Sequence, residues 1–266
     1  LGGDSSDIMK NIALNPVTKT VLVGGYSISD ISGTKSQNGY GGYDFWLNKV
    51  DYLGSLISDK TMGGAQNDFL EEIRLKAHTP GYWISGTTYS IPGGTKSSHC
   101  FDNGDIWVLK LDTALNVEFD RTIGSYNYER CKDMEISPEG SAIIAGWSNG
   151  NGGNKVSDTN SCFTSLLSPQ GKFLYEFIII KHKSGYIIDC EKPQADGLFK
   201  QLSIYKLRSK VEILNLSNEF VVTAFSHEKF LTFDEAKDVP GFTLKYREDP
   251  IFLDPRNKQL GARLII

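Results

Sequence analysis

Three acidic residues, Asp7, Asp68 and Glu129, fall at intervals of 61 residues, each a few positions after a glycine. Carboxylates gathered around one axis could cleave a glycosidic bond, one acting as acid and another as base or nucleophile. The regular interval argues against that use. An acid and a base need unlike surroundings, and residues carried along by a repeat share one. A carbohydrate-active enzyme, a glycosidase or lyase with an axial carboxylate site, is therefore the alternative reading. Other catalytic patterns are missing: there is no GxSxG or HExxH, and His78, His99, His182 and His227 are scattered. Asp30, Asp44, Asp102, Asp105 and Asp158 are oxygen ligands of the kind calcium takes, but no EF-hand spacing joins them. No cofactor is expected.

The interval itself is the stronger signal. A shift of 61 positions lays "GTKS" (33–36) on "GTKS" (94–97) and "DFWLNKVD" (44–51) on "DIWVLKLD" (105–112), without a gap. A third, looser copy runs through "GSYNYERCKDMEIS" (124–137), "SAIIAGWS" (141–148) and "CFTSLLSPQG" (162–171). The copies span about 2–62, 63–123 and 124–177, followed by a divergent segment, 178–209, and a divergent last unit, 210–266.

Within each copy, apolar residues alternate over short runs separated by Gly, Asn, Ser and Pro, the pattern of half-buried strands. The first copy reads as four strands, "DIMKNIAL", "TVLVGGYS", "DFWLNKVD" and "SLISDKTM". Four antiparallel strands per repeat make a propeller blade, whose faces are covered by its neighbours. The expected fold is all-β: a single β-propeller domain over 1–266 with five blades, or four if 178–209 is a hairpin insertion. Residues 260–266 would complete the blade that begins at Leu1 and close the ring.

Long loops at 27–43, 88–104 and 148–161 elaborate one face, where binding residues usually lie. Tyr40, Tyr43, Tyr89, His99 and Trp147 are its candidate stacking groups. The plainer alternative is that they anchor their own loops. Lys35, Lys96 and Lys155 recur in these loops and could present positive charge, or brace the loops. Asp44 and Asp105 suit a capping role at the loop exits, and Trp46 and Trp107 suit the core between blades.

A net charge of -4 without a Lys/Arg cluster excludes a nucleic-acid surface as a leading reading. No apolar run is long enough to span a bilayer. The chain opens on Leu1 with no leader pattern, as expected of a processed or excised protein. Cys100, Cys131, Cys162 and Cys190 have no CxxC spacing and suggest two disulfides in an oxidising compartment.

The order "GG...D", "GYWISGTTYS", a Gly/Ser/Lys loop, "DIWVLKLD" and "TIG" resembles the tandem propeller-like repeats of secreted bacterial surface proteins. Those exported by the type IX route in Bacteroidetes are a notable case of this resemblance. The resemblance implies an extracellular, cell-surface location and a non-catalytic role in binding a glycan or a protein, such as an outer-membrane complex with this chain as accessory subunit.

Overall fold

The computed structural model describes residues 1–266 except 77–79, 149–160, 171, 176, 207–209, 240 and 255–257; for 161–165, 173 and 258 it describes only the backbone. The first copy forms β1 (Asp7–Asn15), β2 (Thr20–Ser27), β3 (Asp44–Asp51) and β4 (Leu56–Met62), at the expected positions. The second forms β5 (Asp68–Leu75), β6 (Tyr82–Thr88), β7 (Asp105–Leu111) and β8 (Val117–Ile123). The third forms β9 (Glu129–Ile136), β10 (Ala142–Ser148), β11 (Ser161–Leu167) and β12 (Phe173–Tyr175). Each copy is one antiparallel sheet whose strands pair in chain order.

The three sheets stack. The first strand of each copy packs on the sheet before it, β5 against β1, β2 and β3, and β9 against β5, β6 and β7. Alternation along β7 supplies both interfaces: Trp107 and Leu109 turn toward the first sheet, Ile106 and Val108 toward the third. Phe45, Leu47 and Met62 meet Trp107 and Leu109 in one core, while Trp83, Ile106 and Val108 meet Met134, Ala142 and Ile144 in the next. Trp107 thus lies between copies as expected. Trp46 is equally buried, but beneath the Lys35 side chain of its own copy.

One backbone feature recurs in all three copies. The pairing of the first strand with the second slips by one residue at Lys10, Glu71 and Lys132. The second strand then comes so close that a Cβ at Gly25, Gly86 or Gly146 would lie 1.8, 2.2 or 2.3 Å from the carbonyl oxygen of Ile8, Phe69 or Arg130. The repeated glycine in "VGGYS", "ISGTT" and "IAGWS" answers to that approach.

Beyond the third copy the five-blade count and the ring closure need correction, while the hairpin alternative for 178–209 and a four-stranded last unit are found. Residues 178–206 form a hairpin, β13 (Ile178–His182) and β14 (Gly185–Asp189), and a helix, α1 (Ala195–Tyr205), in place of a fifth blade. The helix lies on the third copy: the Tyr205 hydroxyl donates to the Ser141 carbonyl at 2.7 Å, and Gly197 sits against Tyr175. The last sheet contains β15 (Val222–Phe225), β16 (Thr243–Tyr246), β17 (Asp249–Leu253) and β18 (Ala262–Ile265), with the short α2 (His227–Phe230) after β15. Its order is β15-β18-β17-β16, so β18 is hydrogen-bonded on both sides within its own sheet. The C-terminal segment therefore does not complete the N-terminal blade. No helix among the described residues is long and apolar enough to cross a membrane.

Candidate binding groove

Loops and strand ends of all three copies bring six aromatic rings into one file. Tyr43 meets Tyr26 edge-on at 5.4 Å, Tyr26 meets Phe69 at 5.0 Å, and Phe69 meets Tyr89 at 6.1 Å. Tyr89 then meets Tyr128 at 6.0 Å, and Tyr128 meets Trp147 at 5.0 Å. These separations are those of favourable ring pairs. Along the file runs a cleft of about 200 Å³, walled by Tyr26, Phe69, Tyr89 and Tyr128 and completed by Thr87, Glu71 and Arg130.

The polar groups of the cleft come from the first strands. Glu71 is the slipped residue of β5, and its carboxylate receives Lys10 at 2.8 Å and Arg130 at 3.4 Å. The three charged groups therefore join three copies at one point. Phe69 and Arg130 occupy equivalent places, as does Ile8 in the first copy, so one position contributes an apolar, an aromatic and a cationic side chain. Burial, with the neighbouring Tyr128 hydroxyl, pushes the Tyr89 hydroxyl well above the ordinary tyrosine range and keeps it protonated.

The sequence-derived candidates divide. Tyr43, Tyr89 and Trp147 stand in the file. Tyr40 lies apart, over Gly94 of the next copy's loop, and His99 belongs to a second cluster with Phe101 and Tyr126. Lys35 and Lys96 are buried, each with its Nζ bonded to a threonine hydroxyl at 2.7 Å, Thr61 and Thr122, and lying over Trp46 and Trp107. They brace the loops and present no charge to the groove, which corrects that expectation. Burial lowers both of their pKa values. Lys155 lies outside the described residues. Tyr26, Phe69, Tyr128, Glu71 and Arg130 escaped the sequence reading. Comparing the copies column by column along the first strand would have singled out Phe69 and Arg130, where the residue type changes against a constant frame.

The recurring carboxylates have structural partners. Asp7, Asp68 and Glu129 accept the backbone N–H of Gly3 at 2.6 Å, Gly64 at 2.8 Å and Ser125 at 2.6 Å, and the hydroxyls of Ser29, Ser90 and Ser148. Each holds the turn that leads into its copy. Asp44 and Asp105 accept the N–H of Tyr40 and Phe101, both at 2.6 Å, capping the loop exits. Burial pushes each of these two up to about 7, with Asp68 beside Asp44 and Glu129 beside Asp105 adding to the effect. Among the described residues no group of three or more His, Cys, Asp or Glu is placed to hold a metal ion. Asp158 lies outside those residues.

The disulfide expectation also fails. Cys100, Cys131 and Cys190 are free thiols. Cys100 faces the Asp105 carboxylate and Cys131 the Ser85 hydroxyl, and burial pushes both thiols up to about 12. The Cys162 side chain is not among those described.

In sequence the chain matches no model of a known protein family and no curated protein.

Proposed function

We propose that the protein is a non-catalytic, surface-exposed scaffold of propeller-type blades that binds a carbohydrate along the aromatic file. The observation that carries this reading is the six-ring file, Tyr43 to Trp147, with the Glu71–Arg130 pair beside it. Sugars offer apolar C–H faces to aromatic rings and hydroxyls to fixed charged groups, so a cleft with both suits a glycan chain better than a flat protein surface. The carboxylates that could have formed an acid and base pair hold backbone turns, which favours binding over hydrolysis. The extracellular, bacterial cell-surface setting rests on the repeat resemblance.

The test is a glycan array followed by calorimetry on the best ligand. Tyr128→Ala and Tyr89→Ala should each weaken binding by roughly tenfold or more, about 1.4 kcal/mol, with the fold intact. Binding that persists unchanged in both variants would sink the proposal, as would an array without a ligand.

A second reading is a protein-docking role for the divergent segment, as in an accessory subunit of an outer-membrane assembly. It is favoured by Ile179, Tyr186 and Ile188, which are exposed on the β13–β14 hairpin. Recovery of a stoichiometric partner with the native protein, lost on Tyr186→Asp, would establish it.

A further inference from the structure

The outer face of the first sheet repeats a surface that the second sheet buries. In the second copy, Leu70, Ile73 and Trp107 turn toward the first sheet and are closed off, at 0–1% exposure. Their counterparts 61 residues earlier are Met9, Ile12 and Trp46, on the face of the first sheet turned away from the second copy. There Met9 is 37% and Ile12 67% exposed, and Leu14, the counterpart of Leu75, is 56% exposed. Asn48, on the same face between Trp46 and Val50, is fully buried, and its amide has no hydrogen-bond partner among the described residues. An apolar sheet face with an unanswered buried amide is an interface pattern rather than a solvated one.

The turn leading into the first copy is built as the turn between copies. Gly63 donates its N–H to the Thr95 hydroxyl at 2.8 Å and accepts the Thr95 N–H at 3.0 Å, where the chain passes from β4 to β5. Gly2 makes the same two bonds with Thr34, both at 2.9 Å. Asp7 then holds Gly3 as Asp68 holds Gly64. Both the face and the turn are thus those of a blade with another blade before it.

We propose that the outer face of the first sheet is the docking surface for a further blade of this same repeat, entering through the Gly2–Gly3 turn. The partner surface is the one that the first copy offers the second, in which Phe45, Leu47 and Met62 cover an aromatic ring and an aliphatic row. Continuity with that interface fixes the occupant, because the two buried faces of a blade differ and this one is complementary to the other kind. A second copy docked through this same face would set like against like.

The experiment adds a blade to the full chain. A duplicate of residues 2–62 is placed directly ahead of Gly2, replacing Leu1, so that the duplicate's last residue meets Gly2 as Met62 meets Gly63. Hydrogen exchange and hydroxyl-radical footprinting then report on β1. Docking should slow exchange of the β1 amides by about tenfold or more, protect Met9 and Ile12 from oxidation, and raise Tm by about 5 °C. Ile12→Asp, exposed in the unextended chain and expected to fold there, should abolish all three changes in the extended one. An added copy that stays exchange-labile, leaving Ile12 as reactive as before, would overturn the proposal. So would sedimentation showing that the unextended chain pairs through this face and that Ile12→Asp dissociates it, since the occupant would then be a second molecule.

Discussion

The Phe45 ring lies 4.8 Å from Trp107, and this contact sits at the centre of the interface between the first and second copies. Both rings are fully buried, so neither can be truncated without leaving a void that its neighbours fill only in part. Phe45→Ala should cost about 3–5 kcal/mol, read as a fall in the urea midpoint with near-native circular dichroism. A cost below about 1 kcal/mol would mean that the sheets do not pack as described.

Glycines separate two kinds of backbone constraint. Gly86→Ala would set a Cβ 2.2 Å from the Phe69 carbonyl oxygen and 2.6 Å from the Phe45 ring, so β5 and β6 must move apart. Gly54 has φ +87° with nothing within 4 Å, so alanine there meets only the conformational penalty. The expected losses are roughly 3 kcal/mol or more for Gly86→Ala and about 1–2 kcal/mol for Gly54→Ala. Paired denaturation curves that reverse this order would contradict the slipped pairing at Glu71.

Asp44 and Asp105 make stability depend on pH. Each carboxyl ionises near 3.8 in the unfolded chain and near 7 in the folded one. Between those values the folded state keeps a proton that the unfolded state has released. Their contribution is therefore greatest below about 3.8, falls as pH rises toward 7 and is flat above. The loss is on the order of 1–3 kcal/mol for each group. Asp105→Asn keeps an oxygen for the Phe101 N–H and removes the ionisation, so it should leave stability below about pH 3.8 nearly unchanged, raise it by roughly a third of that loss at pH 5 and by all of it at pH 8. Denaturant midpoints across that range, showing the same slope in wild type and variant, would refute the assignment.

Thiol labelling follows burial. Cys100 and Cys131 are buried with their pKa values raised to about 12, whereas Cys190 is half-buried. Among these three, iodoacetamide at pH 8 should reach Cys190 first, and the other two only on unfolding. Peptide mapping that finds Cys100 modified first would contradict the packing of its loop.

Much of the scaffold was legible in the residues. Strand positions in the first two copies follow from period-two alternation, a local property, and from a 61-residue interval kept without a gap. The capping roles of Asp44 and Asp105 were legible for the same reason, since the carboxylate meets backbone only four residues away.

The groove was half legible. Loop length pointed to Tyr43, Tyr89 and Trp147, but Tyr26, Phe69 and Tyr128 join them only because successive sheets stack with their strand ends aligned. Packing within each copy decided against Lys35 and Lys96. A lysine in a polar loop reads equally as solvated or as bracing, and only the packed structure shows each one folded under its loop onto a tryptophan.

The C-terminal third was misread because its short strands carry too little alternation to specify partners. "GARLII" is a strand in either arrangement; whether it completes the blade that begins at Leu1 or sits between β15 and β17 depends on contacts distant in the chain. By itself, then, the sequence determined the repeat, its strands and its turn chemistry, all set by neighbouring residues. The tertiary structure decided which faces meet and which rings share a cleft, because burial and hydrogen bonding between distant segments have no local signature.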